Sequence, residues 1–257
     1  MKALILAGGL GTRLREETEF KPKPMVQVGN RPIIWHIMKN LAVQGINEFC
    51  IATGYKGEVL KDYFLNYDFQ NTDVTLRLGE RSTLVSHGLH EESNWKVTIA
   101  DTGNLTQTGG RVLSALKYMD GERFLCTYGD GLANIDLNAL TKFHLSHGKK
   151  ATVTAVKPLS RFGVMDLEKD GFVNEFREKP LMDSWVNGGF FIFEKNIENY
   201  LDVNCVLERE PLNKLASEGE LVAYKHMGFW QPMDTMREFD VLNDLWNKGT
   251  APWKNWS

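Results

Sequence analysis

Up to about residue 150 the apolar positions switch repeatedly between two periods. Residues 2–6 form a short apolar run that stops at glycine, as a buried strand does. Arg31-Pro32 opens a segment in which Ile33, Ile34, Ile37, Met38, Leu41 and Ala42 share one helical face, with proline where a first turn tolerates it. Gly45 ends that helix, and residues 46–52 read as a second strand. Helical spacing returns at 56–67 and 110–119, while strand-like runs occupy 74–78, 96–100 and 123–128. Asp136 is placed to cap a helix that continues to about His147.

Strands alternating with helices predict an α/β fold: a Rossmann-like, mostly parallel mixed sheet flanked by helices. From about Ala151 the texture changes. Residues 151–156, 163–167, 172–176 and 185–193 are all strand-like, which predicts a strand-rich second part closed by a helix at 236–246. No repeat, low-complexity stretch or long linker interrupts the chain. One unit spanning 1–257 is expected, its first part running to about 150 and its second from 151.

Composition narrows the partners. The net charge is -3, and lysine and arginine are spread along the 257 residues without a basic run, so no nucleic-acid partner is expected. A small anion held by a few placed cations remains open. Cys50, Cys126 and Cys205 are far apart and form no paired motif, which predicts buried reduced thiols and suits a reducing cytoplasm. The opening apolar run is too short for a signal-peptide core, and no segment has the length of a membrane span. His87 and His90, and His144 and His147, have metal-compatible spacing but no further ligand nearby, so they read as surface residues. Trp246, Trp253 and Trp256 either pack the C-terminal tail onto the core or form a subunit contact.

The chemistry starts at Leu6-Ala7-Gly8-Gly9-Leu10-Gly11-Thr12-Arg13, directly after the first strand. Glycines there let amide N–H groups approach a phosphate, beyond the carboxyl end of a strand where ligands of open α/β sheets bind. The Walker pattern is absent. The dinucleotide fingerprint fails because Leu14 stands where its third glycine belongs. Arg13 follows the glycines, and Lys21-Pro22-Lys23-Pro24 holds Lys23 between two prolines, so the loop reads as a phosphate binder with held cations.

These residues resemble the sugar-phosphate nucleotidyltransferase family. The glycine loop with Arg13, and Lys23-Pro24-Met25, are similar to the family signature. The resemblance continues through Tyr128-Gly129-Asp130-Gly131, Glu178-Lys179-Pro180, Asn187-Gly188-Gly189-Phe190 and residues 229–235, in family order and spacing, and covers nearly the whole chain. Thr108-Gly109-Gly110-Arg111, and the run 246–256, look like the branch that uses CTP.

The resemblance implies a fold of the nucleotide-diphospho-sugar transferase type. It implies that CTP and α-D-glucose 1-phosphate give CDP-glucose and pyrophosphate. The sugar phosphate is already an anion, so the obstacle is to hold two anions in line. By the same resemblance Asp130 and Asp234 would hold Mg2+. Arg13 and Lys23 would contact the nucleotide phosphates, together with the loop 6–13 and Gly129. Thr108, Gly109 and Gly110 would read the base. Lys179 would hold the sugar phosphate, with Tyr128, Glu178, Asn187 and Gly188 on the sugar side. A homo-oligomer is implied.

Other readings stay open at this point. Asp234 could cap the closing helix, Lys179 could simply pair with Glu178 in solvent, and 108–110 could be an ordinary helix-starting turn. Tyr128 and Asn187 could serve packing alone. A glycosyltransferase would carry a D-x-D pair after a strand, whereas Gly131 and Leu132 follow Asp130. UTP, dTTP or another sugar 1-phosphate would keep the reaction. A non-catalytic nucleotide- or sugar-binding regulator is the reading from a different class.

Overall fold

A computed structural model describes the backbone of residues 1–256, and their side chains other than those of 15, 16 and 80–82. Seven strands build one sheet: β1 (Lys2–Ala7), β2 (Glu48–Thr53), β3 (Lys96–Asp101), β4 (Arg123–Tyr128), β5 (Ala151–Val156), β6 (Val186–Glu194) and β7 (Leu221–His226). Their spatial order is β7-β5-β6-β4-β1-β2-β3. The pairs β4–β1, β1–β2, β2–β3 and β5–β7 are parallel, and only β6 runs antiparallel to its neighbours. The mixed, mostly parallel sheet expected from the pattern is therefore present.

Period-two alternation explains why helices cover both faces. Ala3, Ile5 and Ala7 of β1 point into one core, and Leu4 and Leu6 into the other. Helices α1 (Ile33–Ala42), α4 (Leu137–His147) and α6 (Met236–Asn247) pack on the first face. Helices α3 (Thr108–Ala115) and α5 (Glu210–Ser217) pack on the second, and α2 (Gly57–Leu65) follows β2. Asp136 caps α4 as expected, its carboxylate accepting the Ala139 amide at 3.0 Å.

Three strands from the second part of the chain, β5, β6 and β7, join the central sheet. Phe190, Phe191, Ile192 and Phe193 of β6 are all buried, so this strand needs cover on both faces and joins the central sheet. The strands Val164–Leu167 and Val173–Arg177 pair only with each other, in an exposed hairpin. A second exposed hairpin pairs Asp73–Arg77 with Glu80–His87. The sequence pattern predicts neither the strands Glu80–His87 and β7 nor helix α5, which is only eight residues long.

His144 corrects the surface reading of the histidines. It is buried, with Nδ1 2.7 Å from Thr152 Oγ1 and Nε2 3.0 Å from Glu194 Oε1, and so ties α4 to β5 and β6. Among the described residues no cluster of three metal-ligating side chains occurs. The three cysteines are free and buried, and burial pushes the Cys50 thiol up to about 11.

The C-terminal tail closes over α1 around His36. Trp253 is fully buried and its carbonyl accepts the Asn40 side chain at 2.7 Å. The rings of Trp246, Trp253 and Trp256 surround the His36 imidazole, with Trp246 nearest at 4.5 Å. His36 Nε2 lies 2.9 Å from the Val28 carbonyl, which requires the neutral ring to carry its proton there. Burial lowers the His36 pKa from 6.5 to about 4. The unfolded chain therefore binds a proton on this residue that the folded one refuses. Stability is full above about pH 6.5 and declines toward pH 4, by on the order of 3 kcal/mol from this residue. Thermal unfolding followed as pH falls should show this decline, and in His36→Phe the slope should flatten.

Candidate active site

Parallel β1 and β4 lie side by side and end at Ala7 and Tyr128, so their carboxyl ends open on the same edge. A cavity of about 430 Å³ lies there. Residues 6–13 form one wall, 104–108 another, and Lys23, Tyr128, Gly129 and Asp130 complete it. The Gly129 amide donates to the Leu6 carbonyl at 2.9 Å and keeps the two strand ends together.

Arg111 of α3 holds the walls in place. One terminal nitrogen donates to Thr53 O, Thr102 Oγ1 and Gly103 O at 2.9, 2.6 and 2.8 Å, and the other to Gly8 O and Asn104 O at 3.0 and 3.3 Å. The guanidinium is buried, and burial lowers its pKa, yet an arginine stays charged. Gly8 lies so close that a Cβ there would sit 2.2 Å from the Arg111 Cζ. This is the steric reason for glycine at that point of the loop.

The titratable centre is built by two strands far apart in sequence. Residues Gly131–Ala133 pair antiparallel with Trp230–Pro232, and the Met233 amide donates to the Asp130 carbonyl at 2.8 Å. That ladder brings Asp234 beside Asp130. Lys23 sits on a short helical turn after Pro22, its side chain 11% exposed. Its ammonium donates to Asp130 Oδ2 at 2.6 Å and also to Asp234 Oδ1. Burial opposes the lysine charge, but the two carboxylates outweigh it and hold the pKa above the usual range. Arg13 reaches Asp234 Oδ2 at 3.0 Å.

Asp234 does not cap the closing helix. Thr235 does, with Glu238 completing a capping box, and Glu238 also accepts the Asp234 amide at 2.7 Å. The Asp234 carboxylate is left for the cations. Asp130 and Asp234 thus converge on one positive point. Hard oxygen donors meeting at one point, with room for water and phosphate oxygens, fit a divalent ion such as magnesium.

Thr108 and Tyr128 also line the cavity, and both hydroxyls donate to the Glu208 carboxylate. Asn187 donates to the Tyr128 hydroxyl at 3.4 Å, and the buried Gly188 accepts the Trp230 indole at 2.7 Å. Gly109 and Gly110, expected beside the base, are not part of the cavity wall. They face away from the cavity, because Cys205 and Val203 cover them so closely that a Cβ would lie 2.2 and 2.3 Å from Cys205 Sγ and Val203 O.

Lys179 and Glu178 lie at the foot of the exposed hairpin and pair with each other at 3.0 Å, outside the cavity wall. Lys179 nevertheless has φ +46°, a left-handed backbone that a residue with a side chain adopts at a cost.

Sequence reasoning missed Arg111 and Glu208 as site residues. A charged side chain among the apolar and small positions of α3 was the available signal for Arg111. Glu208 carried none.

Comparison with known proteins places this geometry among relatives. The profile of the nucleotidyl transferase family matches residues 2–220. The chain is 51% identical, over the full length of both, to a protein of Salmonella typhi named glucose-1-phosphate cytidylyltransferase. It is 45% identical, again over both full lengths, to a Bacillus subtilis protein named probable glucose-1-phosphate cytidylyltransferase. Among solved structures, HddC from Yersinia pseudotuberculosis superposes with a TM-score of 0.71 over 95% of this chain and 99% of that one, at 23% identity. At that identity the likeness shows the fold.

Replacing Arg111 by lysine removes most of the five-oxygen clasp while keeping the charge. Stability should fall by roughly 1–3 kcal/mol in denaturant unfolding. Nucleotide binding by calorimetry should weaken, because Gly8 and Asn104 lose their shared anchor. An unchanged affinity would reduce Arg111 to packing.

Proposed function

The chain belongs to the nucleotidyl transferase family, and on that premise we propose that it joins CTP and α-D-glucose 1-phosphate to give CDP-glucose and pyrophosphate. It is then a glucose-1-phosphate cytidylyltransferase. The observation that carries the reading is the convergence of Asp130, Asp234, Lys23 and Arg13 beside the glycine loop. The full-length identity to cytidylyltransferases supports the base and the sugar.

The sugar phosphate oxygen is already a nucleophile. The chain's task is to hold it in line with the α-phosphorus and to take up charge on the leaving pyrophosphate. The loop amides of residues 8–13 face the triphosphate. Asp130 and Asp234 would hold a magnesium ion, which would supply neutralising charge at the phosphates. Lys23 and Arg13, which stand against these carboxylates, serve the nucleotide phosphates, arginine by forked contact and lysine as a point charge. Thr108 faces the base. Residues 1–150 serve mainly the nucleotide.

The sugar phosphate falls to Lys179, whose held left-handed backbone supports a placed role, and residues 151–257 serve mainly that substrate. Tyr128, Glu178, Asn187 and Gly188 line the sugar side. Self-association is assigned to the hairpin at 73–87, where Leu76, Leu78 and Val85 are exposed. A cytoplasmic site suits the free thiols, and among the described residues no helix is long and apolar enough to cross a membrane.

Incubation with magnesium, each nucleoside triphosphate in turn and a panel of sugar 1-phosphates should release pyrophosphate best with CTP and glucose 1-phosphate. Absence of release with every pair rejects the enzyme; release with UTP or dTTP alone rejects the base. Asp130→Asn should cut kcat by about a hundredfold or more while leaving sugar phosphate affinity within a few fold. EDTA should abolish turnover and added magnesium restore it; turnover that survives chelation removes the metal from the reading.

A further inference from the structure

Glu208 lies just before α5, outside every motif of the sequence. Its Oε2 accepts the Thr108 hydroxyl at 2.6 Å, and its Oε1 accepts the Tyr128 phenol. A half-buried carboxylate held by two hydroxyls is an odd choice beside a site for two anions, since it adds negative charge where the ligands carry their own. The arrangement acquires a purpose once the protons are followed.

Thr108 Oγ1 also accepts the Leu207 amide at 2.9 Å, and Tyr128 Oη also accepts the Asn187 amide at 3.4 Å. A hydroxyl owns one proton and two lone pairs. Both protons are committed to Glu208, and one lone pair of each oxygen is committed to an N–H. Each oxygen retains one lone pair, and both residues line the cavity. Thr108 stands at the start of α3 on the nucleotide wall, whereas Tyr128 ends β4 and touches β6 on the sugar side.

We propose that Glu208 is a positioning residue that fixes Thr108 and Tyr128 as hydrogen-bond acceptors and joins the nucleotide and sugar halves of the site. The groups that these two oxygens hold are then donors, sugar hydroxyls or an amine of the base. Phosphate oxygens and carbonyls are turned away from both points. The same bonds set the ring of Tyr128: burial and the neighbouring Glu208 both push its phenol pKa up, so the phenol keeps the proton it donates.

The inference rests on the transferase reading, and turnover of the wild-type protein with CTP and glucose 1-phosphate keeps the two apart. If the wild type does not turn over, the reading fails; if it does, the variants judge Glu208. Glu208→Gln preserves shape but offers one acceptor and two donors where two acceptors are needed. It should raise KM for at least one substrate by roughly tenfold or more, as expected for loss of hydrogen bonds to a charged group, with kcat changed far less. In a double-mutant cycle with Tyr128→Phe the losses should be strongly non-additive. Unchanged KM values, or additive losses, overturn the proposal. Should Glu208→Gln fail to fold, Thr108→Val and Tyr128→Phe are combined instead: coupling through the shared carboxylate is expected, and additivity overturns it.

Discussion

The Arg111 guanidinium is buried, and its charge is spread over five backbone and hydroxyl oxygens. Those oxygens come from the glycine loop, the end of β2 and the turn at 102–104. The segments meet at the carboxyl edge of the sheet, where the glycine loop and the turn at 102–104 have left the strands. A desolvated cation must satisfy its donors, so the three segments are held at one separation. The shape of the cavity follows from that separation, and Gly8 follows from the guanidinium's position. A lysine, with one nitrogen, could not reach all three segments.

Charge balance governs the rest of the site. Two cations, Arg13 and Lys23, face two carboxylates, Asp130 and Asp234, in the free protein. The cluster is neutral, so the centre can stay ordered before any ligand arrives. One cluster thus holds both the carboxylates that would take a divalent ion and the cations for phosphates. The short ladder between 131–133 and 230–232 makes this possible by fixing the two aspartates side by side, and the Thr235 capping box keeps Asp234 from being spent on its own helix.

Much of the fold was legible because its signals are local. The short apolar runs of β1, β4 and β5, buried on both faces, and the helical stripe of α1 were readable, since each is marked by residues close in sequence. Elements were missed where the run is short or little buried: the strand Glu80–His87 is largely polar, β7 is six residues long and only partly buried, and α5 is eight residues long. His144 read as a surface residue because no further metal ligand lies near it in sequence, and only the packing of β5 and β6 reveals its buried partners.

Residue chemistry along the chain determined that a glycine-rich loop follows the first strand, that Lys23 is held between prolines, and that the second half carries Asp130, Lys179 and Asp234. These are properties of neighbours in sequence, and glycine, proline and charge act over a few residues. Tertiary structure decided which of them meet. It placed Asp234 on the Lys23 ammonium across 211 positions, turned Gly109 and Gly110 toward Cys205, and brought Glu208 onto Thr108 and Tyr128. Contacts of that span depend on strand order and register, which arise when both faces of the sheet find cover at once. No local pattern encodes them.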